Sequence, residues 1–327
     1  MLSHLFSWKG IPKIYPPRRP VQGTNETVVR IVPGTGGKVY YGDMKRESVA
    51  ILLHPFKNAL LPKEELRGAL DWFAQEFMAV SSDYPNMRWN LVLPGCFLEL
   101  INPLYLQKMR DLHKRGGLEW LTTGYTEPFL SLSPPAMTHE NIRLGVEVMT
   151  QLTGQKPAGY VPPFSNWEPS YIDRLRTIGL NYVVLSQALF PVESRGFRGT
   201  WITEHAGTSI QLFPAHFLST GSTPESIVPW LDDAFARTPS PGENTRVVTI
   251  DYLIPLAKTE TRPFDWVRST ADAIEKHLLQ YQCVRFGEAR GPSYLCGLQY
   301  VPPGLVYTRE DPEAAPYFLN YLHTFDQ

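Results

Sequence analysis

From about residue 47 to residue 281 the chain alternates short apolar runs with amphipathic stretches of helical period, and that alternation limits the fold more than any other feature of the sequence. Ser48–Leu53 reads as an apolar strand. Lys63–Val80 reads as a helix that aligns Leu66, Leu70, Phe73 and Phe77 on one face. The pattern repeats with a strand over Arg88–Leu93, a helix over Pro103–Arg115 stopped by Gly116-Gly117, and a strand over Leu118–Thr123. A helix over Thr138–Thr153, a strand over Ala158–Val161, a helix from about Pro169 to Ile178 and strands over Tyr182–Leu185 and Ser209–Phe213 follow. The run closes with a helix over Pro224–Ala236, a strand over Arg246–Ile250 and a helix over Phe264–Tyr281. Strands separated by helices build a parallel sheet, and seven or more such units favour closure into a barrel. The expected fold is therefore α/β, a TIM-like barrel over residues 47–281.

The flanks differ. Residues 1–46 read as an extended arm followed by a β-hairpin. Thr27–Val32 and Lys38–Tyr41 flank Pro33-Gly34-Thr35-Gly36-Gly37, and those glycines are a turn rather than a phosphate loop because no helix follows them. Residues 282–327, rich in Tyr and Pro, read as an irregular C-terminal extension that packs on the barrel and covers it.

Composition removes several function classes. With 327 residues, 43% of them hydrophobic, the chain can bury a large core. The formal net charge of -1 and the lack of a basic block argue against nucleic acid as a partner. No apolar run approaches a membrane span, and no signal peptide is visible at the N-terminus. Three cysteines without metal-ligand spacing suit a reducing, cytoplasmic setting. Neither a metal nor another cofactor is expected.

In a parallel barrel the chemistry sits at the carboxyl ends of the strands. The residues there are His54, Pro94-Gly95-Cys96, Glu127, the segment Pro162–Glu168, Ser186-Gln187, Pro214-Ala215-His216 and Asp251-Tyr252. Gly124 marks a point of close backbone approach just before Glu127. The set is heavy in carboxylates, imidazoles and aromatics and holds no nucleophile elbow, P-loop or dinucleotide fingerprint. Paired carboxylates facing across a barrel mouth suit glycosidic chemistry, with one group raised in pKa and another ionised. The candidate catalytic carboxylates are Asp251, Glu127 and Glu168. His54, Glu127, Trp167, Trp201 and His216 are candidate sugar contacts. Glu168 can equally cap the helix that follows it, and His139 reads as a helix cap. A metal held by His54, Glu127 and His216 lacks any HxH or HxxxH spacing.

These residues, in this order, resemble the catalytic barrel of glycoside hydrolase family 57, the 4-α-glucanotransferase and α-amylase group. The stretches that carry the likeness are Pro85-Asn86-Met87-Arg88-Trp89-Asn90, Arg115-Gly116-Gly117-Leu118-Glu119 leading to Gly124-Tyr125-Thr126-Glu127-Pro128, Gly159-Tyr160 leading to Trp167-Glu168-Pro169, Gly179-Leu180-Asn181-Tyr182, and Phe213-Pro214. The resemblance implies a (β/α)7 barrel, an α-glucan ligand and a retaining mechanism without a metal. It also implies that the covalent nucleophile, a glutamate three residues before the Trp of Trp-x-Pro, would fall at Phe164. The His-x-His-Gln-Pro motif of the family is reduced to His54-Pro55, and its acid/base strand end corresponds to Asp251. Phenylalanine cannot form a glycosyl-enzyme bond. The resemblance therefore implies a catalytically degenerate protein that binds a glycan or serves as a structural subunit, with assembly through the 1–46 arm. An active α-glucan enzyme with a rewired carboxylate pair and a polysaccharide-deacetylase-like hydrolase are the alternatives.

Overall fold

The computed structural model describes residues 28–31, 39–42, 46–56, 62–128, 130, 133–191, 199–217, 227–236, 246–256, 263–278 and 280–304. The chain divides into two compact units, Met1–Met44 and Lys45–Gln327. In the first, strands β1 (Val28–Ile31) and β2 (Val39–Gly42) pair antiparallel with Arg30 opposite Tyr40, as the hairpin reading expects. The glycine-rich turn between them and the arm before them lie outside the described residues.

The second unit is a barrel. Its wall runs through β3 (Glu47–Phe56), β4 (Trp89–Leu93), β5 (Leu118–Thr122), β6 (Gly159–Tyr160), β7 (Tyr182–Ser186), β9 (Thr208–Phe217) and β10 (Val247–Pro255). Each of these seven pairs in parallel with the next, and β10 pairs with both β9 and β3, which closes the ring. Helices α1 (Lys63–Asp83), α2 (Gly95–Leu98), α3 (Pro103–Lys114), α4 (Pro135–Thr153), α5 (Ile172–Ile178), α6 (Ile227–Ala236) and α7 (Pro263–Lys276) connect the strands. The expected (β/α)7 architecture is present. Strand β8 (Thr200–His205) was not expected; it folds back antiparallel on β9 through Ala206-Gly207, both at positive φ, as a tight hairpin turn needs.

Successive side chains of a strand point to opposite faces, so the pleat sorts them. Ala50, Leu52, Val92, Leu121, Val161, Tyr182, Val184, Phe213, Ala215 and Val247 form the inner cluster. Val49, Ile51, Leu53, Leu91, Leu93, Trp120, Val248 and Ile250 face outward onto a second cluster with α1 and α7, where Phe73 packs on Phe264. Burial on both faces explains why these strands are largely apolar rather than alternating.

The C-terminal segment departs from the irregular cover expected of it. Residues Tyr281–Cys283 form a strand, β11, rather than the end of α7, and pair in parallel with the first residues of β3. The chain then enters the amino-terminal end of the barrel. Phe286 packs edge-on against Phe213, with centroids 4.8 Å apart. Its N–H donates to Asn90 Oδ1 at 2.9 Å, while Asn90 Nδ2 donates to Ile51 O and Val284 O. Glu119 accepts from Tyr182 O–H at 2.7 Å and Gly287 N–H at 2.8 Å. Burial raises the Glu119 pKa against the lowering pull of these two bonds. These bonds fix a floor under the barrel. A further strand, β12 (Leu295–Leu298), pairs with β8, and residues 301–304 reach the turn after β6.

Candidate functional site

Strand β3 continues two residues beyond His54, and β10 continues four beyond Asp251, so neither residue is at a strand end as the sequence reading has it. Both nonetheless share the inward parity: Ala50, Leu52 and His54 on β3, and Val247, Thr249 and Asp251 on β10. Glu127 lies in the connection from β5 to α4. That connection is held rigidly. Asn141 of α4 accepts Tyr125 N–H on both its backbone and side-chain oxygens, at 2.9 and 3.0 Å, and accepts Thr126 N–H on Oδ1 at 3.2 Å. Gly124 is at φ 112, and a Cβ there would meet Asn141 Oδ1 at 2.6 Å, so the close approach expected of this glycine is real. Asn141 and Gly145, which hold this segment from the helix side, carry no sequence signal apart from the absence of a side chain at 145.

His54 joins the two acids. Its Nε2 lies 3.8 Å from Glu127 Oε1 and its Nδ1 lies 4.0 Å from Asp251 Oδ2, ion contacts longer than a hydrogen bond. Burial works against a charged imidazole, but the facing Glu127 and Asp251 carboxylates outweigh it and raise the His54 pKa. Burial pushes Asp251 up to about 6, with the His54 charge pulling the other way. Among the described residues, both His54 nitrogens, Asp251 Oδ1 and Thr123 Oγ1 are buried with no hydrogen-bond partner. Thr123 follows the inward parity of Glu119 and Leu121, and the sequence reading did not single it out. An unsatisfied buried polar atom costs about 1–3 kcal/mol. A cluster of them at the carboxyl end of a barrel is where water or a polar ligand would relieve that cost.

The turn after β6 carries Phe164. It and Ser165 are both at φ 50, a region that bulky residues rarely occupy. The neighbourhood overdetermines the turn. Ser165 N–H donates to Pro162 O and Asn166 N–H to Pro163 O, while Ser165 Oγ accepts Ser186 N–H at 2.8 Å. Trp167 is bridged to Gly304 by N–H···O bonds of 2.8 and 3.0 Å, and its indole N–H donates to Val301 O at 3.1 Å. Trp167→Phe should cost about 2–4 kcal/mol, since it removes this bond, orphans the Val301 carbonyl and leaves a cavity where the buried indole was. Chemical denaturation would measure it, and an unchanged midpoint would mean that the C-terminal strap does not secure the turn.

Three of the expected sugar contacts and one candidate catalytic carboxylate stand elsewhere. Trp167 is fully buried in the packing between α4, α5 and the strap, and offers no face to a sugar. Trp201 is 7% exposed, in register with Leu212, and packs in that same outer cluster. His216 follows Ala215 on a strand longer than expected, so it takes the outward parity of Leu212. Its ring stands edge-on to Trp230 of α6 at 5.1 Å, and Nδ1 meets Gln187 Nε2 at 2.7 Å. It therefore does not join His54 and Glu127. Glu168 caps the turn Pro169–Tyr171, accepting Ser170 N–H on Oε1. His139, expected as a cap, lies inside α4, whose N-cap is Pro134. Among the described residues no group of three or more His, Cys, Asp and Glu side chains is arranged to hold a metal ion, so the donor set that a metal-dependent deacetylase needs is not met there. Among the same residues no helix is long and apolar enough to cross a membrane.

A parallel seven-strand ring with a carboxylate–imidazole–carboxylate cluster at its carboxyl end narrows the possible relatives. The sequence profile described as "Glycosyl hydrolase family 57" matches residues 37–217, more than half of the chain. The chain belongs to glycosyl hydrolase family 57. It is similar to the 4-alpha-glucanotransferase of Thermococcus litoralis, with 30% identity over 144 residues, 42% of this chain and 22% of that protein. The crystal structure of that glucanotransferase superposes with a TM-score of 0.65 and 20% identity over 86% of this chain and 46% of that one. The alpha-amylase AmyC of Thermotoga maritima does so with a TM-score of 0.65 and 10% identity over 85% and 80%. The matched segments span less than a quarter of the length of these curated relatives. The family 57 profile covers β3 to β9 and so includes His54, Glu127 and Phe164; β10 with Asp251 lies beyond it.

Proposed function

We propose that this family 57 chain binds an α-glucan at the His54–Glu127–Asp251 cluster and does not form a glycosyl-enzyme intermediate. The observation that supports it most is Phe164. It stands three residues before the Trp of Trp-x-Pro, where the family resemblance implies the nucleophile, and its side chain has no atom that can attack an anomeric carbon. The relatives, an alpha-amylase and a 4-alpha-glucanotransferase, point to α-glucans as the ligand class.

The cluster suits recognition. Carboxylates on either side of an imidazole can accept sugar hydroxyls in charge-assisted hydrogen bonds, which are stronger than neutral ones. The rewired-enzyme reading asks the Asp251 and Glu127 carboxylates to act across a scissile bond. Here His54 stands between them, 3.8 and 4.0 Å from each, where a water and a glycosidic oxygen would have to fit.

Calorimetric titration with maltotetraose, paired with chromatography of chain lengths on the same samples, tests the proposal, because transfer between chains changes their lengths without releasing new reducing ends. Binding with every chain length unchanged is expected, and Glu127→Gln should weaken it about tenfold, the worth of a charge-assisted hydrogen bond. No measurable binding, or shorter or longer glucans produced by the unaltered protein, would contradict it.

A further inference from the structure

We propose that Tyr125 is the stacking platform of a second sugar subsite on the rim of the barrel, outside the His54–Glu127–Asp251 cluster. The ligand class is an α-glucan at least two residues long, so the inference rests on the glycan-binding reading above.

Tyr125 lies two residues before Glu127 in the same connection, partly exposed and outside the apolar core. It is held at both ends. At the backbone its N–H goes to Asn141 and its carbonyl accepts Cys96 N–H at 2.9 Å. At the far end its hydroxyl donates to Glu99 Oε2 at 2.9 Å. That bond and burial raise the phenol pKa, so the hydroxyl stays a donor.

The ring rests beside Gly95, where a Cβ would come 3.0 Å from Tyr125 Cδ2 and 3.4 Å from its Cα. Gly95 N–H also donates to Gly124 O at 2.9 Å, so the tips of β4 and β5 are joined under the ring. A surface tyrosine ordinarily gives up side-chain freedom when a ligand stacks on it, and this one has already given it up. A rigid aromatic plane beside a polar cluster matches a pyranose, which has an apolar C–H face and a hydroxylated rim. The Tyr125–Glu99 bond is exposed, and Glu99 is the C-cap of the short helix α2, so the bond orders the ring at the surface rather than in the core.

The test compares chain lengths within each variant, so that a general loss of stability cancels. The unaltered protein should bind maltotetraose more tightly than glucose by a factor that Tyr125→Ala lowers about three- to tenfold, the range expected for one aromatic stacking contact. Tyr125→Phe keeps a ring and should recover most of that factor. If Tyr125→Ala keeps the full preference for the longer chain, the platform is wrong while the glycan reading stands. If the unaltered protein binds neither sugar, both fall. A preference lost equally in Tyr125→Ala and Tyr125→Phe would assign the effect to the hydroxyl and overturn stacking.

Discussion

Replacing Asp251 with asparagine should make the protein more stable above pH 6. Asp251 is 2% exposed, and burial pushes its pKa from 3.8 up to about 6. A carboxyl whose folded pKa is raised contributes stability that is complete below its unfolded pKa and is lost as pH rises through the folded value. Above about pH 6 the folded chain carries an ionised group that the unfolded chain solvates better. At 1.36 kcal/mol per pKa unit the cost is about 3 kcal/mol. Asparagine removes that charge and keeps the shape. Thermal melts at pH 8 should therefore show Asp251→Asn melting roughly 5 °C higher than the unaltered protein, with the difference gone by pH 4. Lower stability at pH 8 would mean that attraction to His54 outweighs the burial of Asp251. A residue kept at such a cost fits a site that serves a ligand rather than the fold.

Gly145→Ala should have the opposite sign and a comparable or larger size. In an open helix position the change from Gly to Ala is favourable by up to about 1 kcal/mol. Gly68 in α1 is such a position, with nothing within 4 Å of a Cβ, and Gly68→Ala should stabilise by roughly 0.4–1 kcal/mol. At Gly145 an added Cβ would come 2.1 Å from the Gly124 carbonyl carbon and 2.4 Å from Tyr125 N. Those are backbone atoms of the segment that carries Tyr125 and Glu127, so no rotamer change can relieve the clash. The helix must move off the strand tip, at a cost of about 3 kcal/mol or more, the upper end for overpacking. Glycan affinity should fall with it, because the segment holding Glu127 is displaced. Denaturation of the two variants side by side checks the pair. Equal effects at 68 and 145 would contradict the close contact of α4 with the β5 tip.

Much of the barrel is legible in the sequence because a parallel wall buried on both faces leaves mostly apolar runs, such as Val49–Leu53 and Val247–Ile250. What the sequence does not give is where those strands stop. Reading β9 as ending at Phe213 makes His216 a loop residue free to face the mouth. With the strand running to Phe217, its parity sends it outward to Trp230. The same lengthening at β10 leaves Asp251 correctly inside, because its parity is that of Val247 and Thr249. The floor is invisible in sequence for a different reason. A three-residue strand such as β11 has no period to detect, and its partner β3 lies over two hundred residues away. Trp167 and Trp201 look like exposed aromatics until the C-terminal strap binds the first and the unforeseen strand β8 turns the second into the outer cluster.

The central claim is that the β6 tip cannot support covalent catalysis although the surrounding site still recognises an α-glucan. Intact-protein mass spectrometry after incubation with 5-fluoro-α-D-glucosyl fluoride, a reagent that traps glycosyl-enzyme intermediates, tests it most directly when run beside calorimetric binding of maltotetraose. The expected result is an unmodified protein mass together with saturable binding that Glu127→Gln weakens. A mass increase of one fluoroglucosyl unit on Asp251, Glu127 or any other carboxylate would contradict it.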